Sequence, residues 1–180
     1  GVLDGLFAYL GIADVRYQAD DPKGFLPGKT AAIYLPTSNG EVRLGWVGQL
    51  HPQLQEEYEL DETYLFELEL EPIYEQAVTE ILYQPLPRYP SSGRDMAVVV
   101  DADLEAGKML ELIKAEAGPL LESLELFDVY DGENVEAGKK SIAVSLVYRD
   151  PNRTLTDEEV SQLHEKIIQS LEKTFAAKLR

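Results

Sequence analysis

The sequence predicts an α+β chain. Its second half reads as β-α-β-β-α-β around an antiparallel sheet, and its first half as a smaller mixed α+β piece. Three observations carry that expectation. Apolar residues make up 44% of the 180, enough for a buried core and too many for a disordered tail. The stretch Tyr83-Gln84-Pro85-Leu86-Pro87-Arg88-Tyr89-Pro90-Ser91-Ser92-Gly93 packs three prolines, two serines and a glycine into eleven residues. Neither a helix nor a central strand tolerates that composition, so it reads as an extended linker dividing the chain into 1–85 and 86–180. Beyond the linker, period-two and period-3.6 stretches follow one another in a regular order.

In the first half, Val2, Leu3, Leu6 and Leu10 fall on one helical face that Gly11 stops. Thr30 to Leu35 and Glu41 to Gln49 read as strands flanking Pro36-Thr37-Ser38-Asn39-Gly40, and Asn-Gly between apolar runs signals a hairpin. A short helix follows from His51-Pro52 to Tyr58. Tyr64 to Glu71 alternates strictly, as a strand with one wet face would.

In the second half, Arg94 to Asp101 is a strand built on Met96-Ala97-Val98-Val99-Val100. Leu104 to Ala117 is a helix with Met109, Leu110, Ile113 and Ala117 on one side, ended by Gly118-Pro119. Leu124 to Tyr130 is the second strand and 131–138 a loop. Lys140 to Arg149 is the third strand, with Ile142, Val144, Leu146 and Tyr148 at period two. The second helix starts at Thr156, where Thr156-Asp157-Glu158-Glu159 forms a capping box, and buries Val160, Leu163, Ile167 and Leu171. Ala177 to Arg180 reads as a short last strand. This is the split βαβ, or ferredoxin-like, plan. Both helices cover one face of the sheet, and the other is left free as a platform of the kind RNA-recognition modules use, although the plan alone serves many functions.

Composition narrows the function. Zero cysteines remove disulfides, thiolate metal sites and cysteine nucleophiles. No apolar run is long enough to span a membrane. The start, Gly1-Val2-Leu3-Asp4-Gly5-Leu6, has no basic region and is no signal peptide; without an initiator Met and opening as if mid-helix, it reads as a cut rather than a natural end. The 33 acidic against 16 basic residues, net −17, argue against a broad basic footprint for nucleic acid. The excess is uneven: residues 1–85 carry 15 acids and 4 bases, net −11, and residues 86–180 carry 18 acids and 12 bases, net −6.

Catalytic patterns are weak. His51 reads as a helix-start residue and His164 as a helix-flank residue. Glu67, Glu69 and Glu71 would share a strand face and repel one another. Gly45-Trp46-Val47-Gly48 lacks the Gly-Lys-Ser/Thr ending of a phosphate loop and reads as strand. Neither a metal set nor a Ser-His-Asp set can be assembled from spacing. A small hydrolase using His51 or Glu67/Glu69 fails for want of a converging set.

A binding platform has more to offer. With Phe127 and Val129 in the core, Asp128 and Tyr130 stand on the free face. With Ile142, Val144 and Leu146 toward the helices, so do Ser141, Ala143 and Ser145. Small side chains beside one tyrosine make a floor on which a base can stack. Asp128 and Ser141 can hydrogen-bond base edges, and Lys139, Lys140, Arg149 and Arg153 border the strands as candidate phosphate contacts. An ordinary wet sheet face, or an acidic protein-interaction module without RNA binding, remains open on pattern alone.

Residues 86–180 resemble a known family, the ferredoxin-fold anticodon-binding domain of the bacterial phenylalanyl-tRNA synthetase β subunit. The resemblance rests on Pro90-Ser91-Ser92-Gly93-Arg94-Asp95-Met96-Ala97, Leu124-Glu125-Leu126-Phe127-Asp128-Val129-Tyr130-Asp131-Gly132, Gly138-Lys139-Lys140-Ser141-Ile142-Ala143 and Tyr148-Arg149-Asp150-Pro151-Asn152-Arg153-Thr154-Leu155-Thr156-Asp157-Glu158-Glu159. Residues 1–85 look like the end of that subunit's catalytic-like, non-catalytic module, through Phe25-Leu26-Pro27-Gly28-Lys29-Thr30-Ala31, Gly45-Trp46-Val47-Gly48-Gln49-Leu50-His51-Pro52 and Phe66-Glu67-Leu68-Glu69-Leu70. The chain therefore looks like a C-terminal fragment. The resemblance implies that Tyr130 stacks on an anticodon base and that Asp128 and Ser141 bond base edges. Arg149 and Arg153 match motif arginines, with phosphate contact and a structural tie to the Asp-Glu-Glu helix start both open. It also implies a cytoplasmic ligase of two α and two β subunits that attaches phenylalanine to its tRNA. ATP and magnesium would be used on the α subunit, and this fragment would hold no cofactor.

Overall fold

The computed structural model describes residues 1–38, 40–78 and 86–180. The chain divides into two compact units, Gly1–Tyr83 and Gln84–Arg180. The start of the expected linker, Tyr83 to Pro85, lies outside the described residues, as does Asn39 of the hairpin turn.

The first unit runs α1 (Val2–Tyr9), β1 (Arg16–Ala19), β2 (Phe25–Thr37), β3 (Gly40–Leu50), α2 (Pro52–Glu57), β4 (Tyr64–Leu68) and α3 (Leu70–Gln76). Its four strands form one antiparallel sheet in chain order. Leu3, Phe7, Ile12, Ile33, Leu35, Leu44 and Ile73 make the core. The β2–β3 pairing closes at Thr37 opposite Gly40, where the hairpin was expected. Gly45, at φ 148°, lets β3 approach β4: a Cβ there would stand 1.8 Å from the Glu67 carbonyl oxygen. Gly45-Trp46-Val47-Gly48 is strand, as its sequence indicates. The Trp46 indole N–H donates to Asp20 Oδ2 at 2.8 Å, and Arg43 lies 4.4 Å over the ring.

Four details of the first unit differ from the sequence expectation. In α1, Phe7 rather than Val2 joins Leu3 in the core, and Val2 is exposed. β1 carried no pattern to find, because all four of its residues are exposed. The alternating stretch ends at Leu68, not Glu71. Glu69 is the N-cap of α3, whose early Pro72 occupies a turn where a missing N–H breaks no intrahelical bond. Glu67, Glu69 and Glu71 therefore do not line one strand face. Within β4 itself, Tyr64 and Phe66 remain substantially exposed, so neither face is fully dry.

The second unit runs β5 (Ser92–Asp101), α4 (Ala106–Ala117), a 3-10 turn (Gly118–Leu120), β6 (Leu121–Tyr130), β7 (Lys139–Tyr148), α5 (Asp157–Phe175) and β8 (Lys178–Leu179). The sheet order is β6-β7-β5-β8, all antiparallel, which is the expected β-α-β-β-α-β plan. Met96, Val98 and Val100 of β5 and Ile142, Val144, Leu146 and Tyr148 of β7 meet Met109 and Ile113 of α4 and Val160, Ile167 and Leu171 of α5. Each fully buried aliphatic side chain of this set contributes roughly 1.5–3 kcal/mol of transfer free energy before entropy is charged, so both helices are held on this one side. Thr156 caps α5 by accepting from the Glu159 N–H, and Glu159 in turn accepts from the Thr156 N–H at 2.9 Å.

Tyr148 is fully buried, and its hydroxyl meets Nδ1 of His164 at 3.2 Å. Burial, with the Arg94 guanidinium nearby, holds the His164 imidazole below its ordinary value, and burial pushes Tyr148 up to about 12. The Arg153 guanidinium and the Thr156 cap hold the Glu159 carboxyl down to about 2. In both His164 and Glu159 the folded value lies below the unfolded one, so the unfolded chain takes the proton first on acidification. Stability is expected to fall as pH drops below about 6.5, the ordinary histidine value. It falls again below the ordinary 4.5 of a glutamate toward the folded value of about 2. Urea midpoints measured across this range check it: His164→Asn should flatten the upper step and leave the lower one.

Candidate nucleic-acid interface

The face of the second sheet turned away from the helices is set by register. Tyr130 of β6 pairs with Ser141 of β7, Ser141 with Val99 of β5, and Val99 with Lys178 of β8. The next row holds Asp128, Ala143 and Ala97, and the Arg180 N–H donates to the Ala97 carbonyl at 2.9 Å. Because residues directly opposite one another share a face, Asp128, Tyr130, Ser141, Ala143 and Lys178 lie on one side, with Ile142, Val144 and Leu146 on the other. Asp128 is exposed, Tyr130 half-buried, and Ser141 and Ala143 only 4% and 9% exposed.

β6 reaches this arrangement through a bulge that the sequence did not reveal. Pairing slips between Leu126 and Asp128, leaving Phe127 as the extra residue. Phe127 is 57% and Val129 49% exposed; the expectation that both fill the core is corrected. Leu124 and Leu126 supply that edge of the core instead. A bulge inserts one residue and bends its strand, so simple alternation fails across it.

The expected cations are divided by the fold. Lys139 sits near Tyr130 but is tied to Asp101 at 2.5 Å. Lys140, opposite Val100, is on the helix side. Arg149 lies eight residues along from Ser141, about 27 Å at strand rise. It bonds Glu122 at 2.8 Å and the Tyr89 carbonyl. Arg153 pairs with Glu159 at 2.7 Å and Asp150 at 3.4 Å, beside the α5 cap. These two arginines therefore brace the linker, the 150s loop and the helix start, and they do not gather with Tyr130. Two residues the sequence reasoning passed over do, Arg180 and Gly132, and Lys178 shares their sheet face at the β8 edge. Alternation in Lys178-Leu179-Arg180 was the available signal for the two cations. Gly132 lies against the Tyr130 ring, where a Cβ would stand 2.3 Å from the phenol oxygen and 2.4 Å from Cζ.

His51 serves as the α2 N-cap, its ring nitrogen accepting from the Gln53 N–H. Among the described residues no three His, Asp or Glu side chains converge as a metal set, and no helix is long and apolar enough to cross a membrane.

Residues 87–180 match the model of the ferredoxin-fold anticodon binding domain. The chain belongs to that family. Residues 1–70 match the CLM domain of the phenylalanyl tRNA synthetase beta chain, so the family domain follows a synthetase module here. Over its whole length the chain is similar to phenylalanine–tRNA ligase beta subunits. It is 46% identical to that of Halalkalibacterium halodurans, 48% to that of Geobacillus kaustophilus and 41% to that of Bacillus subtilis. The chain spans 22% of the length of these relatives.

Proposed function

We propose that this chain recognises the anticodon stem-loop of a tRNA as part of a phenylalanine–tRNA ligase β subunit, supporting ATP-dependent attachment of phenylalanine. Residues 86–180 are the anticodon-binding domain, and residues 1–85 the end of a catalytic-like module that performs no chemistry. The observation that carries the reading is Tyr130 beside Asp128 and Ser141 on the sheet face turned away from α4 and α5. Tyr130 stacks on a base, and Asp128 and Ser141 select its edge: the carboxylate accepts, the hydroxyl accepts or donates. Arg149 and Arg153, both ion-paired, act on RNA by holding the platform's far end. In this reading ATP and magnesium act on an α subunit, the assembly holds two α and two β subunits, and the enzyme is cytoplasmic. No observation favours the acidic protein-interaction reading.

With net −6 in residues 86–180, affinity rests on stacking and a few local cations rather than on a broad basic field. The test is a titration of the chain with an RNA stem-loop carrying the phenylalanine anticodon and with the same stem-loop carrying another anticodon, at low salt. Tighter binding of the first is expected. Equal affinity for both, or none for either, overturns the proposal.

A further inference from the structure

Arg180 has no part in the roles assigned above. Its guanidinium carbon lies 5.7 Å from the centroid of the Tyr130 ring. Yet Tyr130 ends β6 and Arg180 follows β8, at opposite edges of the sheet. Three strand spacings separate those edges, about 14 Å, so the two side chains reach toward one another across β7 and β5. The residues of the intervening rows on that face are Ser141, Ala143, Val99 and Ala97. On that face Ser141 is 4% and Ala143 9% exposed, whereas Val99 and Ala97 stay half-buried. Gly132 lies against the ring, which would have to shift if a Cβ stood there.

The guanidinium therefore lies over the Tyr130 end of the platform. A base that stacks on the face of Tyr130 facing Arg180 has to displace the guanidinium. A guanidinium over a half-buried ring at the surface favours the closed arrangement by only about two- to five-fold, so an arriving base can displace it. The displaced guanidinium is shaped to grip a phosphate with two parallel hydrogen bonds. Among the described residues neither Arg180 nor Lys178 is ion-paired, whereas Lys139 is committed to Asp101.

We propose that Arg180 closes the empty platform by stacking on Tyr130 and transfers to a backbone phosphate of the RNA when a base takes its place on the ring. The proposal rests on the anticodon reading above and adds the cation and the exchange. Lys178, on the same face one row away, is the second cation of this edge.

The test is a salt series of stem-loop titrations on the chain and its variants Arg180→Ala, Arg180→Lys and Tyr130→Ala. Arg180→Ala is expected to weaken binding about three- to ten-fold at low salt. It should also make the slope of log K against log salt shallower by about 0.7, the value for one phosphate on a single strand. Arg180→Lys should keep the slope. In the free chain, the Arg180 side-chain NMR signals should carry a ring-current shift that Tyr130→Ala removes and that RNA removes in the wild type. An unchanged slope in Arg180→Ala overturns the transfer, and tighter binding makes Arg180 a lid alone and overturns it too. Absence of the ring-current shift overturns the closed state. Tyr130→Ala that binds as tightly as wild type overturns the anticodon reading itself; weak Tyr130→Ala beside an unaffected Arg180→Ala overturns only the Arg180 inference.

Discussion

Replacing Tyr130 by alanine is expected to cut the affinity of the chain for a phenylalanine-anticodon stem-loop about five- to 150-fold while the fold stays intact. The magnitude follows from base–aromatic stacking, worth about 1–3 kcal/mol per base, with each 1.4 kcal/mol a factor of about ten. The fold survives because Tyr130 is half-buried at the end of an edge strand and lies outside the helix-facing core. The loss on folding stability should stay near 1 kcal/mol or less, in the range of substitutions away from the core. Stem-loop titration and urea unfolding, run on the same samples, separate the two effects. Tyr130→Phe distinguishes ring from hydroxyl: it should bind nearly as wild type. A Phe variant as weak as Ala would mean that the hydroxyl, not stacking, carries the contact.

Gly45→Ala is expected to destabilise the first unit by about 2–4 kcal/mol, the largest stability effect of any exchange that adds a single methyl group at the positions described above. Gly45 is buried at φ 148°, a region that L side chains rarely adopt, and pairs with Leu68 of β4. The added Cβ would stand 1.8 Å from the Glu67 carbonyl oxygen and 2.8 Å from its carbon. Both are backbone atoms, so relief requires β3 and β4 to part. The added methyl gives no compensating burial. Amide hydrogen exchange should show β4 losing protection first, and the urea midpoint should fall. A near-neutral Gly45→Ala would mean that this pair of strands is not held at the register Gly45–Leu68.

How far the fold was legible follows the physics of each signal. The second unit declared itself because its strands and helices have clean periods and a capping box: Ile142, Val144 and Leu146 alternate as buried residues, and Val160, Ile167 and Leu171 repeat at helical spacing. The first unit was read less well. β1 has four exposed residues and hence no apolar alternation, and α3 follows β4 after a single residue, with Glu69 as cap, so an alternating pattern ran on through a helix start. At the candidate site, Asp128, Tyr130 and Ser141 were placed on one face from sequence, and register brings them together. The same alternation placed Phe127 in the core, where the bulge does not let it sit.

Sequence by itself determined the element order of the second unit, the core stripe of each helix, the capping box and the motifs that tie both halves to a synthetase β subunit. These are local properties, written within one strand, one helix turn or one contiguous motif. Tertiary structure alone decided the bulge at Phe127, the partners that occupy Arg149 and Arg153, and the meeting of Tyr130 with Arg180, fifty residues apart in the chain and at opposite edges of the sheet. A strand's alternation belongs to that strand, whereas register, ion pairing and a contact across three strand spacings arise only once two or more elements are docked.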